Sequence, residues 1–314
     1  MTGVVNHWAP TSPCDPGCLP VAGPATGRAR VVRAVRLTVR GTALAVVVLA
    51  GLLAALVVPL LGAAAMAWVQ RLWAAAVLSA CGVRVRHTGP AAPPGALVVA
   101  NHVSWLDVFA LHAVAPVRML AKTEVRQWPL LGLMAARAGT VFLDRDRLRA
   151  LPDAVATLAA ALRAGTPIGV FAEGTTRCGR DLGTFRPAAF QAASDAGAPV
   201  VPVALRYRRR GDRPGDAPLD ATAAFVGDDT LASSLLRVLA ARGVDVDVTA
   251  GPVIDTTDTT AVPAGPARAS ARRALARECA RTIATALPPD LGGHPAAVRP
   301  VTALPIAPDL EHVA

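Results

Sequence analysis

The chain has 314 residues, 53% of them hydrophobic, and its 32 Lys and Arg residues against 22 Asp and Glu residues give a net charge of +10. Its mean hydropathy of +0.43 is high for a soluble domain and indicates contact with a membrane. The positive charge suits phosphate-bearing partners, but the few aromatic residues do not interleave with the basic ones, so we expect anionic lipid and no nucleic acid.

Two segments precede the main domain. Residues 1–27 carry Pro, Gly and Ser without periodicity, which predicts a disordered tail. Residues 28–83 begin with five arginines, from Arg28 to Arg40. They continue with Thr42–Val69, which contains no charged residue and exceeds the roughly 20 residues that cross a bilayer. We therefore expect residues 28–83 to form a membrane-associated helical segment.

Arginines also follow this segment. A second apolar stretch, Leu72–Val83, runs into Arg84 and Arg86. Because positive residues remain on the cytoplasmic side, this pattern favours a hairpin or an interfacial helix pair whose two ends face the cytoplasm. A single span and a cleaved signal peptide are the alternatives.

Residues 84–290 alternate β-rich and helical runs and predict an α/β domain, a layered sheet with flanking helices. The predicted strands are Leu97–Ala100, Arg118–Ala121, Thr140–Leu143, Ile168–Ala172, Val200–Leu205 and Val244–Val248. The predicted helices are Val108–Val114, Val125–Arg137, Leu148–Arg163, Ala188–Ala196 and Ala267–Leu287. The last helix is amphipathic and basic, so it either docks on the domain or lies against anionic lipid. Residues 291–314 are expected to form a flexible tail.

The cysteines are five in number: Cys14, Cys18, Cys81, Cys178 and Cys279. Their number is odd, and no pair has Cys-x-x-Cys spacing. The sequence therefore predicts neither a disulfide framework nor a metal site. A reducing cytoplasm is the simplest compartment for such a chain.

The segment VANHVSWLDVFAL (99–111) places His102 and Asp107 just after a predicted strand. On one continuous helix the two side chains would point about 140° apart, whereas a turn leading into a helix brings them together. The carboxylate then holds one imidazole nitrogen, and the other nitrogen can act as a base. In the alternative interpretation, Asn101 or Ser104 caps the helix and the histidine is a polar loop residue.

Other residues that follow strands suit an anion. The glycine-bearing turn Glu173 to Thr176 offers backbone N–H groups and hydroxyls. Arg145 and Lys122, the only lysine in the chain, also follow strands. Each of these features is also compatible with an ordinary turn or a solvated charge. No Gly-x-Ser-x-Gly motif occurs, so a serine acyl-enzyme has little support.

Four blocks in chain order resemble the glycerolipid acyltransferase family, which includes 1-acyl-glycerol-3-phosphate acyltransferase. The blocks are NHVSWLD, GTVFLDR, FAEGTTR and VVPVAL, the last at 200–205, and AKTEVRQWPLLG fits the segment between the first two. The resemblance covers about residues 70–290 and implies the layered α/β fold of that family.

The resemblance also implies roles for particular residues. His102 is expected to be the general base and Asp107 its orienting partner. The residues expected to form the acceptor-phosphate site are Lys122, Arg145, Glu173, Gly174 and Thr175.

The third block departs from the family pattern Phe-Pro-Glu-Gly-Thr-Arg. Ala172 replaces the proline, and Thr176 stands where the arginine is expected. Arg177 or Arg186 is then the candidate to replace that arginine, or nothing replaces it. The departure leaves the acceptor headgroup open.

The function implied by the resemblance is acyl transfer at the cytoplasmic face of the cell membrane. A fatty acyl group moves from acyl-CoA or acyl carrier protein to the hydroxyl of 1-acyl-glycerol-3-phosphate and gives phosphatidic acid, with no metal and no bound cofactor. Another lysolipid, such as a lyso-ornithine lipid, is the alternative acceptor. A catalytically silent lipid-binding protein is the alternative function, although a scaffold has no need of an oriented base.

Overall fold

The computed structural model describes residues 12–21, 26–57, 60, 62–128, 131–143, 151–212, 218–257 and 265–287. Its strands are β1 (Val83–Thr88), β2 (Leu97–Ala100), β3 (Arg118–Lys122), β4 (Val141–Leu143), β5 (Ile168–Phe171), β6 (Val200–Arg209) and β7 (Val244–Ala250). Its α-helices are α1 (Gly27–Val57), α2 (Ala63–Ala80), α3 (Leu106–Val114), α4 (Thr123–Arg126), α5 (Leu131–Arg137), α6 (Leu151–Arg163), α7 (Ala188–Ala196), α8 (Leu231–Ala240) and α9 (Pro266–Ala286).

The strands form one sheet in the order β1-β7-β6-β2-β5-β3-β4. Strands β6 and β7 are antiparallel, and the other neighbouring pairs are parallel. Parallel strands are covered on both faces and joined by crossover helices, which explains why apolar runs alternate with helical segments in the sequence. The predicted layered α/β fold is confirmed.

Alternate strand residues face two separate cores. Val98 and Ala100 of β2 join the core that contains α2, α3 and α8, whereas Leu97 and Val99 join the core that contains α6, α7 and α9. Successive side chains of a strand point to opposite faces, so the sheet lies between two layers of helices. The strand that leads to His102 is therefore held from both sides.

All six predicted strands are present, and β6 extends beyond its predicted end to Arg209. The prediction lacks β1, because it assigns Arg84 and Arg86 to the flank of the membrane segment. It also lacks α8. The single predicted helix Val125–Arg137 is wrong: α4 and α5 are separate helices, and Pro129 in the sequence has no amide hydrogen with which to continue a helix.

The N-terminal half of α1 is tied to the end of α8. The Arg36 guanidinium donates to the Ala240 carbonyl at 3.0 Å, and Arg40 donates to the carbonyls of Leu239 and Ala241 at 3.1 and 2.8 Å. These carbonyls have no helical partner of their own, and cations at this end of a helix are stabilised by its dipole. The last two arginines of the basic run, Arg36 and Arg40, therefore dock α1 on the domain.

The remainder of α1 is apolar and largely exposed. By length and composition α1 qualifies as a membrane-crossing helix, with a mean hydropathy of 2.2 over its most apolar 18 residues. Leu49, Leu53 and Leu56 are each more than half exposed. An apolar surface of this kind marks a contact with a membrane or a partner.

Part of the predicted disordered tail is ordered. In residues 12–21, Cys14 and Cys18 are 2% and 1% exposed and join the core of the domain. The prediction rested on the Pro- and Gly-rich composition of this segment and took no account of its cysteines. A buried cysteine behaves as a small apolar residue and can join a core. The predicted tail at 291–314 lies outside the described residues.

The basic helix α9 docks on the domain. It buries Leu275, Cys279 and Ile283, and Arg268 contacts Asp195 of α7 at 3.2 Å. The sequence left open whether this helix docks on the domain or lies against lipid, and in the structure it docks on the domain.

Two glycines of α1 test its packing. A Cβ at Gly51 would lie 2.2 Å from Nε1 of Trp73, the atom that donates to the Val47 carbonyl, whereas a Cβ at Gly41 would meet nothing within 4 Å. We expect Gly51→Ala to cost about 1–3 kcal/mol of unfolding free energy through overpacking. We expect Gly41→Ala to gain up to about 1 kcal/mol through helix propensity. Denaturant unfolding in detergent measures both, and an equal effect of the two changes would contradict the packing at Gly51.

Candidate active site

Three neighbouring parallel strands end at the same edge of the sheet. His102 follows β2, the turn Glu173 to Thr176 follows β5, and Lys122 is the last residue of β3. Ligands of open α/β sheets bind outside the carboxyl ends of the strands. The parallel pairing therefore brings these residues from three parts of the sequence to one site.

The imidazole of His102 is bound to Asp107. Nδ1 lies 2.9 Å from Oδ2 of the carboxylate, and the histidine side chain is 20% exposed while that of Asp107 is fully buried. Oδ2 of Asp107 accepts a hydrogen bond and so holds the proton on Nδ1. The other ring nitrogen, Nε2, is then left as a hydrogen-bond acceptor and base.

Asp107 accepts three further hydrogen bonds. The backbone N–H groups of Val103 and Ser104 donate to Oδ2 at 2.7 and 2.8 Å, and the Tyr207 hydroxyl donates to Oδ1 at 2.5 Å. Burial together with the neighbouring carboxylate raises the pKa of Tyr207 well above its ordinary value, so the phenol keeps its proton and remains a donor. The turn of 102–104 thus folds around the carboxylate that orients the histidine.

The ring of His102 also stacks on a neighbour. The Phe171 ring lies 3.9 Å away, centroid to centroid, at an interplanar angle of 4°. Below it, the side chain of Asn101 donates to the Leu205 carbonyl at 3.0 Å and accepts from the Leu205 N–H at 2.7 Å. Asn101 therefore does not cap α3. Ser104 Oγ instead accepts from the Leu106 N–H at 3.2 Å.

The turn after β5 is bonded to the histidine loop. The Arg177 N–H donates to the His102 carbonyl at 2.8 Å, and the Thr176 hydroxyl donates to the Phe225 carbonyl at 2.6 Å. Gly174 adopts φ = 77°, a left-handed conformation that favours glycine. The turn therefore has a fixed shape next to the imidazole.

Glu173 is the first residue of this turn. Its side chain is buried, and Oε1 accepts from the Gly183 N–H at 3.1 Å. Burial raises the pKa of this carboxyl from 4.5 to about 7, and the Gly183 hydrogen bond and Arg177 oppose the change. The buried carboxyl of Glu173 therefore supports the turn from the protein interior.

A cavity of about 820 Å³ opens beside the imidazole. Its polar end is lined by His102, Lys122, Gly174, Thr175 and Thr176. Its walls are mainly apolar and are formed by α1 and α2 together with residues of α3 to α5. The cavity can therefore receive an elongated apolar group with its polar end at His102.

The remaining predicted site residues are Arg145, Arg177 and Arg186. Arg145 lies outside the described residues. Arg177 donates to Asp181 at 2.8 Å, and neither Arg177 nor Arg186 is among the described residues that line the cavity. The Arg186 N–H donates to the Ala172 carbonyl at 2.8 Å.

Sequence reasoning missed Tyr207 and Phe171. Tyr207 lies on β6, the strand next to β2. The one signal for it in the sequence was that it is the only tyrosine of the chain. Phe171 ends a predicted strand, but its stacking depends on the pairing of β2 with β5. Elsewhere, in the described ranges, the one group of His, Cys, Asp and Glu side chains close enough to share a metal ion is Cys14, Cys18 and Cys178.

Comparisons with known proteins match the segment that carries these residues. A family model described as Acyltransferase matches residues 83–206, which include β2, β5 and the histidine loop. A 1-acyl-sn-glycerol-3-phosphate acyltransferase from Neisseria gonorrhoeae is 45% identical over 126 residues, 40% of this chain and 49% of that protein. The chain thus spans about half the length of this relative.

A second relative is matched over most of its length. A lyso-ornithine lipid O-acyltransferase from Rhodobacter capsulatus is 32% identical over 244 residues, 71% of this chain and 83% of the relative. The chain belongs to the glycerolipid acyltransferase family. The crystal structure of the 1-acyl-sn-glycerophosphate acyltransferase from Thermotoga maritima overlays on 82% of this chain and 97% of its own chain, with a TM-score of 0.54 and 17% identity. That likeness confirms the fold.

The buried carboxyl of Glu173 makes stability depend on pH. The pKa of this carboxyl is raised in the folded state, so its protonated form contributes fully to the free energy of unfolding below about pH 4.5. That contribution is lost as the pH rises to about 7. The full loss is about 3 kcal/mol by the energy of one pKa unit. We expect Glu173→Gln, which keeps an acceptor for Gly183, to remove this loss. Denaturant unfolding of the unaltered protein and of Glu173→Gln at pH 5 and pH 8 measures this loss. The same pH dependence of stability in both proteins would show that Glu173 does not cause it.

Proposed function

We propose that this acyltransferase moves a fatty acyl group from a thioester to the free hydroxyl of a lysophospholipid. The observation that carries the proposal is the fixed His102 imidazole, bound through Nδ1 to Asp107 and exposed through its other edge to the apolar cavity. Such a pair suits proton removal from a hydroxyl that lies at the mouth of a lipid-binding cavity.

The proposed reaction has no covalent enzyme intermediate. Nε2 of His102 takes the proton of the acceptor hydroxyl as its oxygen attacks the thioester carbonyl carbon. The carbon–sulfur bond then breaks, and the leaving thiolate takes the proton from the imidazolium. Asp107 stabilises the imidazolium, and Tyr207 and the N–H groups of Val103 and Ser104 keep the carboxylate in place.

The headgroup is assigned to the polar end of the cavity. Lys122 provides a compact positive charge, and Gly174 and Thr175 line the same end. Glu173 supports the turn from the protein interior. Arg145 keeps its assignment from the sequence, whereas Arg186 is not among the described residues that line the cavity. Arg177 supports the site through its N–H, which donates to the His102 carbonyl, while its guanidinium is held by Asp181.

Lysophosphatidic acid is the leading acceptor, because the Neisseria relative is named as a 1-acyl-sn-glycerol-3-phosphate acyltransferase and Lys122 offers a positive charge to a phosphate. The alternative is a lyso-ornithine lipid, for which the Rhodobacter relative is named. The Ala172 and Thr176 departures make that alternative equally compatible with the family. Acyl-CoA and acyl carrier protein are both compatible donors.

Membrane association is proposed through α1 and α2 as a hairpin with both ends on the cytoplasmic side. The uncharged part of α1 after Arg40, residues 41–57, is about 25 Å long by helix rise, short of the roughly 30 Å of a hydrocarbon core. Because Arg36 and Arg40 are bound to the domain, this part cannot be lengthened on its N-terminal side. The exposed leucines of α1 would then enter the lipid from one side.

The activity is tested with purified protein, each donor and each acceptor, and products are identified by lipid mass spectrometry. We expect His102→Ala to lower the rate by about 10²–10⁴-fold while the fold is retained. Tyr207→Phe, which removes one hydrogen bond to Asp107, should lower it less. His112→Ala is the matched control, because His112 lines the same cavity but bonds only the Val108 carbonyl among the contacts described. Full activity of His102→Ala would refute the proposed base, and binding without turnover by the unaltered protein would favour a silent lipid-binding protein.

The hairpin is tested by labelling intact cells and inverted vesicles with an impermeant reagent directed to tags at residues 27 and 287. We expect both tags to react only in inverted vesicles, because the hairpin returns to the side from which it enters. Labelling of the two tags from opposite sides would establish a single span.

A further inference from the structure

Three buried cysteines converge next to the turn that follows β5. The sulfur atoms of Cys14, Cys18 and Cys178 all lie within 4.8 Å of one another, and the three residues are at most 2% exposed. No disulfide joins them. Thiolates that share a tetrahedral Zn²⁺ at about 2.3 Å are about 3.8 Å apart, which this spacing admits.

The local backbone is arranged like that of a metal knuckle. Cys14 and Cys18 have Cys-x₃-Cys spacing, within the range of structural zinc sites. The turn Pro16–Cys18 between them is fixed by Asp15, whose side chain accepts from the Gly17 N–H at 2.8 Å. The tight turn thus brings both sulfurs to one side.

The third cysteine arrives from a distant segment. The Cys178 N–H donates to Sγ of Cys14 at 3.2 Å, a bond that stabilises negative charge on that sulfur. The Arg180 guanidinium lies 3.5 Å from the Cys18 carbonyl and adds a positive charge next to the cluster. A group of three thiolates with one Zn²⁺ carries one net negative charge, which this surrounding offsets.

We propose that Cys14, Cys18 and Cys178 bind a Zn²⁺ ion that fastens residues 12–21 to the turn that follows β5. Binding releases the three thiol protons and leaves the fourth tetrahedral position to a solvent molecule. Soft thiolate ligands select zinc over magnesium or calcium. The sequence prediction of no metal site rested on the absence of Cys-x-x-Cys pairs, and the third ligand lies 160 residues further along the chain.

The proposed site also acts on the active-site loop from a distance. Cys178 follows Arg177, whose N–H holds the His102 carbonyl. A metal on Cys178 therefore restrains the turn Glu173 to Thr176 from its C-terminal end. This proposal does not depend on acyl transfer, because metal binding is measured without substrate.

The test measures metal content of the full-length protein purified without chelator. We expect about one Zn²⁺ per chain by inductively coupled plasma mass spectrometry, and loss of most of it in Cys14→Ser, Cys18→Ser and Cys178→Ser. Cys81→Ser and Cys279→Ser are matched controls, since both cysteines are buried outside the cluster, and they should retain the metal.

A second measurement uses the unaltered protein and so does not depend on whether the variants fold. After removal of zinc, added Co²⁺ should produce a thiolate-to-cobalt charge-transfer absorption, and hydrogen exchange of residues 12–21 should slow when metal is restored. Absence of both zinc and the cobalt absorption would overturn the proposal. A mass lower by two hydrogens with a disulfide within the cluster would overturn it as well.

Discussion

The buried carboxylate of Asp107 is the interaction on which the site depends. One oxygen accepts from the imidazole of His102 and from two backbone N–H groups, and the other accepts from Tyr207. A buried charge is tolerated only when its hydrogen-bonding capacity is filled, and each missing partner costs about 1–3 kcal/mol. The same bonds that satisfy this charge therefore close the turn after β2, and the orientation of the imidazole and the stability of the loop cannot be changed separately.

The sheet supplies the second half of that arrangement. Strand β6 continues past the end of β2, so that Leu205 meets the side chain of Asn101 and Tyr207 reaches the carboxylate. Where β2 has ended, the Asn101 side chain makes the hydrogen bonds to β6 that a backbone partner would otherwise make. The loop that carries the histidine is thus supported by a neighbouring strand along its whole base.

Local features of the sequence were predicted well, and long-range ones were not. His102 and Asp107 are five residues apart, and their pairing needed only a turn, so the motif predicted it correctly. Tyr207 lies 100 residues from its partner, and its role depends on the register of β6 against β2. The cysteine cluster joins residues 164 positions apart, so spacing rules that apply within one segment did not detect it. Part of the cavity wall comes from α1 and α2, which the sequence indicated only as membrane-associated.

The attachment of α1 to the end of α8 has a consequence for how a lipid substrate arrives. In the proposed hairpin, Arg36 and Arg40 set how deep the apolar helices can sink, because the domain cannot follow them into hydrocarbon. The mouth of the cavity would then lie near the headgroups of a single leaflet. A lysolipid would reach it by lateral diffusion, a search in two dimensions, and the longer-tailed product would return to the leaflet without ever exposing its chains to water.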